Sequence, residues 1–216
     1  MRHRFPPSRL ALLFLITGIS AGAETPLLPC QGSDSNAWHN CVGKQETFAG
    51  GVYEGGFRFG KRDGVGQWYE VYVLSGRQRQ IYVGEYKADM RHGRGEEIDG
   101  AGNIYNGEWQ DDQKDGQGVM KYRDGSRYVG AWKKGSPKGQ GTMTWSDGRV
   151  YVGEFSNEYG GGQGTLTWPN GAEFVGEVND GTPWGDGTLT YPDGAVLTGR
   201  FERGKYVGPS PNHGGR

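Results

Sequence analysis

The sequence predicts an all-β fold, an elongated single antiparallel sheet of stacked β-hairpin repeats, and three observations carry that prediction. The first is a five-residue motif that returns every 23 residues: YVGEY at 82, YNGEW at 105, YVGAW at 128, YVGEF at 151, FVGEV at 174 and LTGRF at 197. The second is glycine, 42 of 216 residues, a level that borders on disordered composition. The third is an aromatic content of 12%, which disordered chains lack because rings stabilise cores. Glycine and rings coexist only if the glycines are placed, and a fixed period of this length marks a repeat in which one unit cannot bury its apolar face alone.

Residues 1–23 come first. MRHRFPPSR is basic, LALLFLITGIS is an apolar run, and AGA at 21–23 places small residues where a cleavage site needs them. These are the three parts of a secretory signal peptide, and the run is shorter than the ~20 residues a membrane-spanning helix requires. The expected location is periplasmic or secreted. Removing 1–23 takes away Arg2, Arg4 and Arg9 and no acid, leaving a balance of −4 from 24 bases and 25 acids. No strongly basic face is implied, so nucleic acid is not an expected partner.

Residues 24–52 form an N-terminal cap segment. Its two cysteines, Cys30 and Cys41, are the only ones in the chain. In an oxidising compartment an even pair is expected to bond. The C-x10-C spacing is not the C-x-x-C of a redox site. Cys41 and Gly43 also fall where a half-repeat would place them.

Residues 53–208 are the array. With the Tyr of each motif as phase 1, glycine holds phase 3 (Gly84, Gly107, Gly130), phase 12 (Gly93, Gly116, Gly139), phase 14 (Gly95, Gly118, Gly141) and phase 21 (Gly102, Gly125, Gly148). Each unit reads as two strands: YVGAW is short and aromatic, and GTMTW alternates with period two. KKGSPKGQ between them reads as a polar loop, and SDGR as a tight turn in which Asp and Gly both tolerate positive φ. Alternation puts phases 1, 3, 5, 14, 16 and 18 on one face. There Tyr128, Trp132, Met143 and Trp145 form one set, and glycine at phases 3 and 14 leaves bare backbone for rings to lie on. About six and a half hairpins, some 13 strands, are expected. A short flexible tail, 209–216, closes the chain.

YNGEWQDDQKDGQGVMKYRDGS and YVGAWKKGSPKGQGTMTWSDG resemble the MORN repeat, whose pattern is roughly Y-x-G-x-W, a polar loop, G-x-G-x-x-x-aromatic and D-G. The resemblance covers 53–208 and implies stacked hairpins in one twisted sheet. It implies function loosely: binding or scaffolding of proteins, and sometimes of phospholipid. C…AWHNCVG looks like the lead-in of exported bacterial MORN proteins. Departures fall in the first unit, with six extra residues, and in unit 82–104, where EEIDGAG replaces the apolar phase 16 and aromatic phase 18.

No constellation points to chemistry. His3, His39, His92 and His213 lack metal-ligand spacing, so no metal and no cofactor are expected. Glu85, Glu108, Glu154 and Glu177 share phase 4 and read as a solvated row, and nothing marks two of them as a glycosidase pair. GGGQGT lacks the G-K-[ST] ending of a phosphate loop. The expected function is therefore non-catalytic: a protein-binding or scaffolding module, or alternatively a peripheral binder of membrane phospholipid or an envelope glycan. Specificity is expected where the pattern breaks. In the longest unit, QWYEVYVL and RQRQIYVGEY flank SG and predict a projecting hairpin. Tyr69, Tyr72, Leu74, Arg77 and Arg79 are its expected partner-binding residues. The competing reading is that this hairpin folds back and caps the N-terminal end.

Overall fold

A computed structural model describes residues 26–47, 50–71, 78–156 and 160–210, with side chains left out over 71–80. The leader and most of the tail, 211–216, lie outside the described residues. Sixteen strands form one open sheet in strict sequence order. They are β1 (Leu28–Pro29), β2 (Cys41–Glu46), β3 (Gly51–Arg58), β4 (Lys61–Val71), β5 (Gln78–Lys87), β6 (Met90–Ile98), β7 (Ile104–Gln110) and β8 (Gln113–Lys121), continued by β9 (Arg127–Lys133), β10 (Ser136–Thr144), β11 (Val150–Phe155), β12 (Gly161–Thr167), β13 (Glu173–Asn179), β14 (Thr182–Thr190), β15 (Val196–Glu202) and β16 (Lys205–Gly208). All-β stacked hairpins are what the repeat predicts. One pairing departs from the expected antiparallel order: β1 runs parallel to β2, Leu28 beside Cys41. With the cap strands counted, the sheet exceeds the 13 strands expected.

The ring layer follows the phases. Tyr53, Tyr82, Tyr105, Tyr128 and Tyr151 at phase 1 are fully buried. Each lies flat over its own hairpin, and its hydroxyl donates to the carbonyl at phase 4: Tyr82 to Glu85 at 3.0 Å, Tyr105 to Glu108 at 2.9 Å and Tyr128 to Ala131 at 2.8 Å. The glycines at phases 3 and 14 permit this. A Cβ on Gly118 would stand 2.5 Å from the Tyr105 ring, and one on Gly130 would stand 2.6 Å from Gly141 Cα. Phase-5 rings meet phase-1 rings edge to face, both within a unit (Tyr105–Trp109, 5.3 Å) and across to the unit before (Tyr105–Trp132, 5.0 Å). Such pairs add about 0.5–1.5 kcal/mol beyond area burial.

Two sequence readings change. The polar stretch between strands is not a loop. The strands run through it and meet in a two-residue turn whose residues both have positive φ, such as Asp111–Asp112 (48° and 66°) and Lys134–Gly135 (49° and 87°). That is the type I′ geometry that matches strand twist. The extra length is absorbed by a bulge, Gly141 pairing Gly130 while Pro137 pairs Trp132. In the D-G turns, only the glycine at phase 21 takes positive φ (Gly125, 93°; Gly148, 87°). The preceding Asp carboxylate instead accepts from the N–H two residues on: Ser126 N–H donates to Asp124 at 2.8 Å and Arg149 N–H to Asp147 at 3.0 Å.

Candidate functional site

Phase 10 decides what covers the rings. The first three full units place Arg62, Arg91 and Lys114 there, each on the first turn of the returning strand. Arg62 lies over Tyr53 and Tyr86 (5.7 and 5.3 Å to the centroids). Arg91 lies over Trp109 at 4.2 Å, and Lys114 over Tyr105 at 5.1 Å. A cation above a ring face is held by the ring quadrupole. Each Arg is also fixed by the I′ turn of the following unit. Arg62 donates to the Asp89 carboxylate through its backbone N–H (2.8 Å) and to the Asp89 carbonyl through Nη2 (2.6 Å). Arg91 repeats this with Asp112 at 2.9 and 2.8 Å.

Glu97 completes the cluster. It stands at phase 16, where later units carry Met120, Met143 and Leu166. Its side chain is only 8% exposed, 2.7 Å from Arg91 and 3.1 Å from Lys114. The departure EEIDGAG thus supplies the anion that two ring-covering cations need. Asp99 in the same stretch replaces the phase-18 aromatic. Burial works against its charged form, but bonds from the Asn103 side chain and from the Asn103, Ala101 and Gly102 backbone outweigh that and hold its carboxyl below the usual range.

Beside this cluster an open pocket of about 380 Å³ is lined by Arg62, Trp68, Tyr82, Tyr86, Arg91 and Asp112. Burial pushes the Tyr82 and Tyr86 phenols well above their ordinary range, an effect the guanidiniums only partly offset. The pocket can recognise a side chain through indole, ring edges and guanidinium. Of the partner-binding residues expected from sequence, Tyr69 is described, its hydroxyl donating to Glu54 at 3.1 Å on the face opposite the rings. Tyr72, Leu74 and Arg77 lie outside the described residues, and Arg79 stands in β5 with its side chain not described. Sequence reasoning missed Arg62, Arg91 and Lys114, although their shared phase was visible.

The other candidates fall into place. Glu85 folds over the bulge glycine Gly93 and accepts the Arg94 N–H at 2.9 Å; Glu108 and Glu177 lie over Gly116 and Gly185 in the same way. His39 accepts the Phe59 N–H at 3.2 Å, and His92 stands 3.6 Å from Asp111. Cys30 and Cys41 are joined, with Cα atoms 4.9 Å apart. The bond pins 30–41, and Trp38 fills the place of a phase-1 ring: it meets Phe57 edge-on at 4.8 Å and lies over Gly43.

Comparison with solved structures finds low similarity. The wild-type TCP10 domain of Danio rerio CPAP is 14% identical, with 74% of this chain and 72% of that chain covered and a TM-score of 0.41. The SAS-4 (dCPAP) TCP domain of Drosophila melanogaster, in complex with a proline-rich motif of Ana2 (dSTIL), is 11% identical, with coverage of 82% and 99% and a TM-score of 0.37. No curated protein matches the chain. The MORN repeat matches residues 53–69, 82–104, 105–127, 128–148, 151–173 and 174–196, and the first match stops at Tyr69, where the extra residues begin. These six matches take in more than half of the residues, and the chain belongs to the MORN-repeat family.

Proposed function

We propose that the chain is a non-catalytic, exported module of bacterial type that holds a protein partner in the periplasm or outside the cell. The observation that carries this reading is the pocket at the irregular end of the array. It gathers one indole, two tyrosine rings and two guanidiniums, the side chains most enriched at interface hot spots. Trp68 lies in β4, the strand leading to residues 72–77, whose Tyr72, Leu74 and Arg77 the sequence marks for docking. The joined Cys30–Cys41 pair and the leader-like residues 1–23 support export into an oxidising compartment. The glutamates at phase 4 serve bulge glycines, which supports a binding role over an acid–base one.

The test captures cross-linked partners from an envelope fraction with the intact chain and with a variant whose residues 72–77 are replaced by Asn-Gly, beside vesicle sedimentation. The reading expects the cross-linked protein band to disappear with an unchanged melting point, and no sedimentation with anionic or neutral vesicles. A lowered melting point with the band retained makes the hairpin a cap. Salt-sensitive sedimentation with anionic vesicles alone replaces the protein partner with a lipid surface.

A further inference from the structure

The face opposite the rings changes character along the array. Its central row is continuous across the sheet, residue paired to residue. From β3 to β7 it reads Glu54, Gln67, Val83, Glu96 and Asn106. From β8 to β15 every position is Val or Thr, beginning with Val119 and Val129 and ending with Thr188 and Thr198. Val152 and Val175, in the middle of this stretch, are 52% and 51% exposed.

The charges beside that row are arranged in a specific way. Lys121 on β8 and Arg127 on β9 stand directly opposite one another. Like charges at paired positions repel, and neither has an ion pair among the described residues. Five strands away, Glu173 on β13 occupies the same row between Thr167 and Thr190, also without an ion pair among the described residues. A two-fold axis parallel to the strands and passing between β10 and β11 exchanges β8 with β13 and β9 with β12. It brings Lys121 against Glu173 of a second copy and Arg127 against Thr167, one strand from that Glu173, and at its centre sets Thr142 against Val152 of that copy.

We propose that this outer face is a dimer interface, packed sheet on sheet against the same face of a second copy of the chain. Two rows of this surface are self-complementary: the row of Val119 and Val152 is uncharged and β-branched, and the row beside it carries Lys121 and Glu173 at positions that the two-fold exchanges. Eight strands, β7–β14, at ~4.8 Å spacing and these two rows of side chains about 7 Å apart cover about 40 by 14 Å. That is on the order of 550 Å² per copy, about 1,100 Å² in all, at the lower end of specific interfaces. Aligned packing of twisted sheets at about −30° keeps the central strands in contact and lets the corners diverge. The capped N-terminal end, with its charged row, stays outside.

Analytical ultracentrifugation of the purified chain from one to a few hundred micromolar tests this. The expected result is a monomer–dimer equilibrium in which Lys121→Glu and Glu173→Lys each weaken dimerisation at least tenfold, while the two together restore it. Val152→Lys, at a solvent-facing position, abolishes the dimer with an unchanged circular dichroism spectrum. A monomer at every concentration overturns the proposal. So does a dimer whose constant ignores the charge reversals, or one that the double reversal fails to restore.

Discussion

The two halves of the array build the same ring layer and cover it differently. In units 53–127 the phase-10 side chain is Arg62, Arg91 or Lys114, a cation over the rings and tied to Asp89, Asp112 or Glu97. In units 128–196 the same position is Pro137, Gly160 or Pro183, with Pro137 and Pro183 buried and Gly160 pressed against the Tyr151 ring. Phase 16 is mixed in the first half, with Trp68, the buried carboxylate of Glu97 and the thioether of Met120, and apolar throughout the second, with Met143 and Leu166 buried there. The ring ladder is also interrupted in the second half. Edge-to-face contacts run from Trp38–Phe57 to Tyr128–Phe155, Val178 stands where the next phase-5 ring would, and the contacts resume at Phe174–Phe201 and Phe201–Tyr206. A single sheet has no second layer, so phase 10 and phase 16 must supply the cover. Charge does it at one end and aliphatic carbon at the other, and the charged end holds the pocket lined by Arg62, Arg91 and Asp112.

High pH should separate the halves most strongly. Burial raises the Tyr128 and Tyr151 phenols to about 12, and those of Tyr53, Tyr82, Tyr86 and Tyr105 higher still. A phenol whose folded pKa lies above its unfolded value of about 10 contributes stability that is complete below pH 10. That stability is lost as pH rises from 10 through the folded value. The chain is therefore expected to unfold in alkali, with Tyr53–Tyr105 released first because the later units replace phase-1 Tyr with Phe174 and Leu197. Absorbance at 295 nm followed beside far-UV circular dichroism checks this. Ionisation of all tyrosines near pH 10 with the sheet intact would contradict it.

Glu97→Ala comes next. It strands Lys114 and leaves Arg91 to Asp112 alone, and breaking a buried pair costs about 3–5 kcal/mol. The structurally equivalent Leu166→Ala removes only packing, about 2–5 kcal/mol, so the halves differ in kind: high salt should shrink the first cost and leave the second unchanged. Denaturant melts at two ionic strengths read both. Reducing Cys30–Cys41 opens a loop of about 12 residues, worth roughly 2–3 kcal/mol in the chain-entropy model. It should lower the melting point through the N-terminal end while far-UV circular dichroism of the folded state is unchanged. Asp124→Ala removes one side-chain acceptor from a turn, at about 1 kcal/mol, and Asp193→Ala in the opposite half should cost the same, because the turns do not differ between halves.

The period, the faces and the role of glycine at phases 3 and 14 were legible because they rest on steric rules that leave few residue choices. A Cβ at Gly118 has nowhere to go, so the sequence repeats glycine there. The covering layer was harder to read. Arg62, Arg91, Lys114 and their neighbours look like loop residues by polarity, yet they lie in strands and their charges face inward over rings. Polarity and strand position point in opposite directions at phase 10, and only the quadrupole of the ring beneath reconciles them. The I′ turns were hidden for a related reason: Ala88–Asp89 and Lys134–Gly135 share a backbone conformation, not a residue pair. That β1 runs parallel follows from contacts that no period announces.

Hydrogen exchange measured strand by strand at low and at 1 M salt tests the difference between the halves most directly. The account predicts that salt speeds exchange a few fold in Lys61–Val71 and β5–β8, where the partly exposed Arg62–Asp89 and Arg91–Asp112 pairs, worth up to about 1 kcal/mol each, help hold the guanidiniums over the rings, and leaves β11–β14 unchanged. Equal acceleration in both halves, or none in either, would contradict it.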